Sequence, residues 1–157
     1  MPLAEPDLIA LYQRHVAMVY RICFAHMKSP SPTEDAVQET FIKAMTRAPR
    51  FETAEHEKAW LIRVATNVCK DQLKTWWGKK VSLDPDTDTD LATSPDSTLA
   101  VVLSLPDKYK SVVYLHYYEG YATEEIATIL ARPASTVRNH LSEARQLLRK
   151  RLGDFDE

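Results

Sequence analysis

Apolar positions in the first half of the chain recur every three or four residues, the period of helices that bury one face. Leu8, Leu11, Tyr12, Val16, Val19, Tyr20 and Cys23 predict a first helix, opened at Pro6-Asp7. The segment SPSPT at 29–33 ends it and offers Ser31 or Thr33 as the next N-cap, with Glu34 and Asp35 in a first turn that favours acids. Val37, Phe41, Ala44 and Met45 make the inward face of a second helix, which Pro49 stops. After the loop RFETAEHE, a third helix runs from Lys58 to about Trp77, with Leu61, Ala65, Val68, Cys69, Leu73 and Trp76 inward.

The same period returns in the second half in shorter pieces. A helix near Ser97–Leu105 ends at Pro106. Asp107 is expected to cap another, from Lys108 to Tyr118, with Val112, Val113 and Leu115 on its inner face and Gly120 as its breaker. Thr123 is expected to cap a short helix with Ile126, Ile129 and Leu130 inward, and Ser135 to cap the last one. In that last helix Val137, Leu141, Ala144 and Leu148 form a stripe expected to pack against the short helix. Between the halves, VSLDPDTDTDLATSPDST at 81–98 has almost nothing to bury and cannot offset the entropy of ordering it. The expected fold class is therefore all-α: two small helical domains, 1–78 and 99–157, joined by a flexible acidic linker over 79–98.

Composition narrows the picture. A chain of 157 residues with 45% hydrophobic content can form real cores, and only 3 glycines argue against a turn-rich all-β fold. No apolar run approaches the roughly 20 residues that span a bilayer. The N-terminus has acids where a secretion signal has basic residues, so a cytoplasmic location is expected. Cys23 and Cys69 stand at apolar-periodic positions and read as packing groups, a disulfide or reactive thiol being the lesser alternative. No nucleophile–base pair, metal-ligand spacing or phosphate-binding loop occurs, so neither catalysis nor a cofactor is expected.

Charge is sorted into patches. Net charge is −2, yet residues 134–151 hold five basic groups against one acid, Glu143. On the third helix Arg63, Asn67, Lys70 and Lys74, at spacings of four, three and four, share one outward stripe. Such a stripe is either a solvated face or one that meets a nucleic-acid backbone. The last helix exposes Arg138, Asn139, Ser142, Arg145, Gln146 and Arg149 opposite its apolar stripe. A short helix, a tight turn and a longer helix with that face describe a helix-turn-helix, whose second helix enters the major groove. A plain hairpin with a basic face is the competing reading.

EDAVQETFIKAM (34–45), Phe51 and KAWLIRVATNVCKDQL (58–73) resemble region 2 of bacterial RNA polymerase sigma factors. LPDKYKSVVYLHYYEGYATEEIATILARPASTVRNHLSEARQLLRKRL (105–152) resembles region 4. Having these two regions alone is similar to the layout of the small extracytoplasmic-function (ECF) group. The resemblance implies a dissociable subunit that directs core RNA polymerase to promoter DNA. It carries Asp35, Gln38, Glu39 and Ile42 over as contacts with the β′ clamp helices. Arg63, Asn67, Lys70 and Lys74 become the −10 surface, with Asn67 as base reader and the loop Phe51–Glu57 around a flipped base. Arg138, Asn139, Ser142, Arg145 and Arg149 become the −35 surface. It further implies docking of region 4 on the β flap, a linker that threads toward the polymerase cleft, and an anti-sigma factor as partner.

Several residues depart from the pattern. Glu143 stands where the family often has Arg or Lys; it either weakens −35 binding or accepts from a cytosine amino group. Ala131-Arg132-Pro133 replaces the usual glycine-containing turn, and the 50–57 loop is unusually acidic. Trp76-Trp77 stands where basic residues are common, one expected in the core and the other against region 4 or an inhibitor. Trp60 is assigned to the core. Two other functions fit these residues less completely: a one-component helix-turn-helix regulator, and a sigma-like adaptor without promoter-melting activity.

Overall fold

The computed structural model describes residues 4–78 and 101–156, and side chains only outside 76–78 and 152–156. The expected linker and the assignments of Trp76 and Trp77 lie outside the described residues. The chain divides into two compact units, with the boundary between Ser82 and Leu83. The first contains α1 (Glu5–Met27), α2 (Pro30–Arg47) and α3 (Ala54–Gly78). The second contains α4 (Asp107–Val113), a π-helical turn (Tyr114–Tyr118), α5 (Thr123–Leu130) and α6 (Ala134–Asp156). Ahead of α4, residues 101–103 are helical, the described end of the helix expected over 97–105. There is no strand among the described residues.

In the first unit each helix packs on the other two. Val19, Ile22 and Cys23 of α1, Ala36 and Ala44 of α2, and Leu61, Ile62, Ala65, Val68 and Cys69 of α3 are almost wholly buried. Both cysteines are free and packed. Thr33, Thr40 and Thr66 are buried as well, each donating its hydroxyl to the carbonyl four residues back: Ser29, Ala36 and Ile62, at 2.7, 2.8 and 2.8 Å. That local bond satisfies a polar group inside the bundle, so periodicity of apolar residues alone misses these positions. The two helices are stapled at the surface where Arg14 of α1 grips Glu57 of α3 with two nitrogens and His15 Nε2 lies 2.7 Å from the same carboxylate.

The apolar stripes are wider than the arcs they bury. Tyr12, Tyr20 and Met45, expected inward, are 46%, 37% and 39% exposed. In a three-helix bundle each helix faces only two neighbours, so residues on the flank of a broad stripe stay at the surface. Leu73 and Trp60 are half-buried for the same reason; Leu130, the last residue of α5 in the second unit, is half-buried too.

The expected caps shift upstream. Helix α2 starts at Pro30 with Ser29 at the N-cap position, not Ser31 or Thr33, because prolines fit the first turn, where no amide bond is needed. Asp107, Thr123 and Ser135 each lie inside their helix, with Pro106, Ala122 and Pro133 preceding the first turn. Ala122 has no side-chain oxygen to offer; Glu125 instead reaches back to its amide at 2.9 Å. Helix α3 begins at Ala54, four residues before the expected Lys58, because Thr53 Oγ1 accepts from the His56 amide at 2.9 Å and its carbonyl from the Glu57 amide at 3.1 Å.

In the second unit α6 packs on both α4 and α5. Val137, Leu141 and Ala144 are buried as expected. The stripe divides between partners, though: Ala144 and the half-buried Leu148 join Leu105, Tyr109 and Val113 rather than the short helix alone. Between α5 and α6, Ala131 adopts left-handed backbone (φ 54, ψ 48), and the Arg132 amide donates to the Ala127 carbonyl at 3.0 Å. That is the 6→1 bond of a Schellman turn with alanine at the position glycine usually holds.

Candidate functional site

Three exposed helix faces carry the residues singled out in the sequence. On α2, Asp35, Gln38, Glu39 and Ile42 fall at i, i+3, i+4 and i+7, one crest between two grooves. On one side, Asp35 and Glu39 line a polar groove of about 340 Å³ with Lys43 of α2 and Asp71, Gln72 and Thr75 of α3. On the other, Gln38 and Ile42 line an apolar groove of about 420 Å³ with Leu8, Tyr12, Val16 and Met45. Tyr12 meets Phe41 edge-on at 4.9 Å on its floor. The four residues thus share a crest but not a chemistry: one flank offers carboxylates, the other aliphatic and aromatic carbon. Tyr12, Tyr20 and Met45 belong to this surface. Their sequence pattern looked like core because a surface groove between two helices has the same period as a buried face.

On α3, Arg63, Asn67, Lys70 and Lys74 are all exposed on one stripe. Beside its start, Phe51 sits edge-on between His56 at 5.3 Å and Trp60 at 5.7 Å. The 50–57 loop is shorter than expected, since residues from 54 on are helical. Glu57, assigned to it, is bound to Arg14 and His15. Burial would raise the pKa of that carboxyl, but the hydrogen bonds and charges of His15 and Arg14 outweigh it and hold it below the ordinary value.

On α6, Arg138, Asn139, Ser142, Arg145 and Arg149 are all exposed. Arg138, Ser142, Arg145 and Arg149 fall at i, i+4, i+7 and i+11, the same spacing as the α3 stripe and turned about 100° from the buried one. Glu143 is tied into its own unit: Tyr109 donates its hydroxyl to the Glu143 carboxylate at 3.1 Å. The imidazole of His140 lies 5.7 Å from the Tyr109 ring, with Nδ1 buried and unpartnered. Burial, then the positive charges of Arg132 and Lys108, push its pKa below the ordinary value, against the opposing pull of Glu143. Arg132 Nη1 donates to the Lys108 carbonyl at 3.2 Å, which fastens the turn to the start of α4.

Residues 11–78 match the Sigma-70 region 2 family, and residues 96–148 match Sigma-70, region 4. An ECF RNA polymerase sigma factor of Bacillus subtilis, SigW, is 28% identical over 97% of this chain and 90% of its own length. SigL of Mycobacterium tuberculosis, another ECF RNA polymerase sigma factor, is 29% identical over 97% of this chain and 93% of its own. Among solved structures, the sigma factor RpoE of Bartonella quintana, crystallised with the anti-sigma factor NepR, superposes with a TM-score of 0.73 at 21% identity. That match covers 94% of this chain and 97% of that one, and is a likeness of fold.

Proposed function

The chain belongs to the sigma-70 family of RNA polymerase sigma factors, in its ECF group, and from that membership we propose how its exposed faces divide the work of promoter recognition. As a sigma factor it directs core RNA polymerase to promoters and starts transcription; it brings no catalytic chemistry of its own. The carrying observation is the presence of regions 2 and 4 in order on one chain, each with a polar stripe exposed where the helix has no neighbour.

The α2 crest of Asp35, Gln38, Glu39 and Ile42 docks on the β′ clamp helices. Its two flanks suit a partner helix that brings basic residues to one side and apolar residues to the other. The α3 stripe of Arg63, Asn67, Lys70 and Lys74 takes the −10 element. Lysine and arginine hold the backbone there, and Asn67 supplies both a donor and an acceptor for a base edge. The aromatic cluster of Phe51, His56 and Trp60 beside it offers ring faces and edges to an unstacked base. In region 4, Arg138, Asn139, Ser142, Arg145 and Arg149 read and grip the −35 duplex. Glu143, held by Tyr109, is a structural residue of that helix rather than a base reader. Residues 1–78 and 99–157 act as separate modules at the two promoter elements, with 79–98 spanning between them. Docking of region 4 on the β flap, an anti-sigma partner over the region 2 grooves, and action in the cytoplasm complete the reading; no helix among the described residues is long and apolar enough to cross a membrane.

Run-off transcription from a promoter library tests it, with bacterial core polymerase, the purified chain and an Asp35→Ala/Glu39→Ala variant. Promoter-specific transcripts that disappear with the variant are expected. Transcripts of equal strength from the variant would remove the α2 crest from the docking surface. No transcripts from the wild type, with duplex DNA still bound, would move the chain to an adaptor role.

A further inference from the structure

We infer that Tyr117 is a positioning residue for promoter recognition, holding the Arg145 guanidinium in the orientation that reads the −35 element. The inference rests on the reading of Arg145 as part of that surface. Arg145 Nε donates to the Tyr117 hydroxyl at 2.7 Å, and its guanidinium carbon lies 5.9 Å from the ring centroid. The bond joins residues 28 apart in sequence. Among the described residues the two terminal nitrogens of Arg145 make no hydrogen bond, so the fork that can address a guanine edge or a phosphate remains available while its stem is fixed. A free arginine on a helix surface loses much rotamer entropy on binding; one already held by a hydroxyl loses less.

The backbone explains how Tyr117 reaches that place. The chain does not continue as α-helix beyond Val113. It widens into the π turn of Tyr114–Tyr118, in which the Glu119 amide donates to the Tyr114 carbonyl five residues back at 3.2 Å. Leu115 stays buried, the His116 ring faces the Tyr121 carbonyl at 2.9 Å, and Tyr114 stacks on Tyr118 at 5.3 Å while donating to Glu119 at 2.6 Å. Tyr117 has no comparable tie within its own turn apart from the edge of the His116 ring. It is 56% exposed and its hydroxyl is committed to Arg145. π-Helical turns are rare and frequently occur at functional sites, and this one carries the exposed tyrosine that bonds an arginine of the recognition helix.

The test uses the full chain as holoenzyme with core polymerase. The promoter library is selected with wild type, Tyr117→Phe, Arg145→Ala and the double variant, and melting temperatures are recorded for each. Phenylalanine keeps the ring and removes only the hydroxyl. Tyr117→Phe is expected to weaken use of the preferred −35 sequence roughly three- to tenfold, the range for one lost hydrogen bond of ordinary strength at an exposed site. The loss should centre on the base pairs that Arg145→Ala affects, vanish in the Arg145→Ala background, and leave the melting temperature unchanged. Equal losses in both backgrounds, no loss, or tighter −35 use by Tyr117→Phe would overturn the inference alone. An Arg145→Ala variant with wild-type −35 preference would instead overturn the placement of Arg145 on the surface, and this inference with it.

Discussion

Ala131 shows what a single residue contributes to the shape of the recognition unit. Its left-handed backbone costs an alanine about 1 kcal/mol or more relative to glycine. Ala131→Gly should therefore stabilise the second unit by roughly 0.5–1 kcal/mol, part of the gain being returned as unfolded-state entropy. Denaturant unfolding followed in that unit would show it, and an unchanged midpoint would mean the strain is relieved elsewhere. Gly120 is the converse case. Its φ of 79 is unfavourable for any side chain although a Cβ there would meet nothing within 4 Å, so Gly120→Ala should cost about 1 kcal/mol through backbone strain alone. His140 predicts a pH effect. Its folded pKa lies below the ordinary value of 6.5, so the unfolded chain takes up the proton first as pH falls. The second unit should lose stability as pH drops below about 6.5 and level off beneath the folded pKa; a His140→Gln variant that kept the same pH slope would show that another group is responsible.

At the scale of elements, the start of α3 decides how much loop is left for base capture. Thr53 caps that helix at a position where the sequence suggested loop, and Thr53→Ala should cost about 1 kcal/mol of first-unit stability. Glu57 then falls on α3 facing α1, where it pairs with Arg14 and His15. Because its folded pKa is depressed, the stabilisation is present above its ordinary value of 4.5 and fades as pH falls through the folded pKa. Glu57→Gln should flatten the acid limb of first-unit unfolding, and an unaltered acid limb would assign it to other carboxylates. The α2 crest is set by the same logic of faces. Asp35, Gln38, Glu39 and Ile42, whose i, i+3, i+4 and i+7 positions put them on one helix face, were legible as a set only through the resemblance to sigma region 2. That they sit between a polar and an apolar groove was not, since each groove needs a second helix to form its other wall.

At the scale of the whole molecule, two units with separate cores imply separate folding. Fragments 1–78 and 99–157 should each show helical circular dichroism and a cooperative melt; a fragment that stays unfolded would mean its core depends on the rest of the chain. Function should separate in the same way. Asn67→Ala, on an exposed stripe of the first unit, should alter −10 discrimination in the promoter library while shifting stability by no more than about 0.5 kcal/mol. A large fall in melting temperature with unchanged promoter choice would make Asn67 structural.

The amino-acid sequence by itself determined the helical class, the order of the helices, the inward faces of Val19, Phe41, Leu61, Val137 and Leu141, and the exposed polar stripes of α3 and α6. Each of these follows from local periodicity and charge, which one segment carries alone. Tertiary structure decided what depends on a second segment. It placed Tyr12, Tyr20 and Met45 in a surface groove, because a bundle of three buries less than an apolar stripe offers. It tied Glu57 and the exposed Glu143 to partners on other helices, and it brought Tyr117 onto Arg145 through a π turn that no repeat of apolar residues announces. Side chains of the same type and spacing can be core, groove or tether, and only the neighbour across the gap distinguishes them.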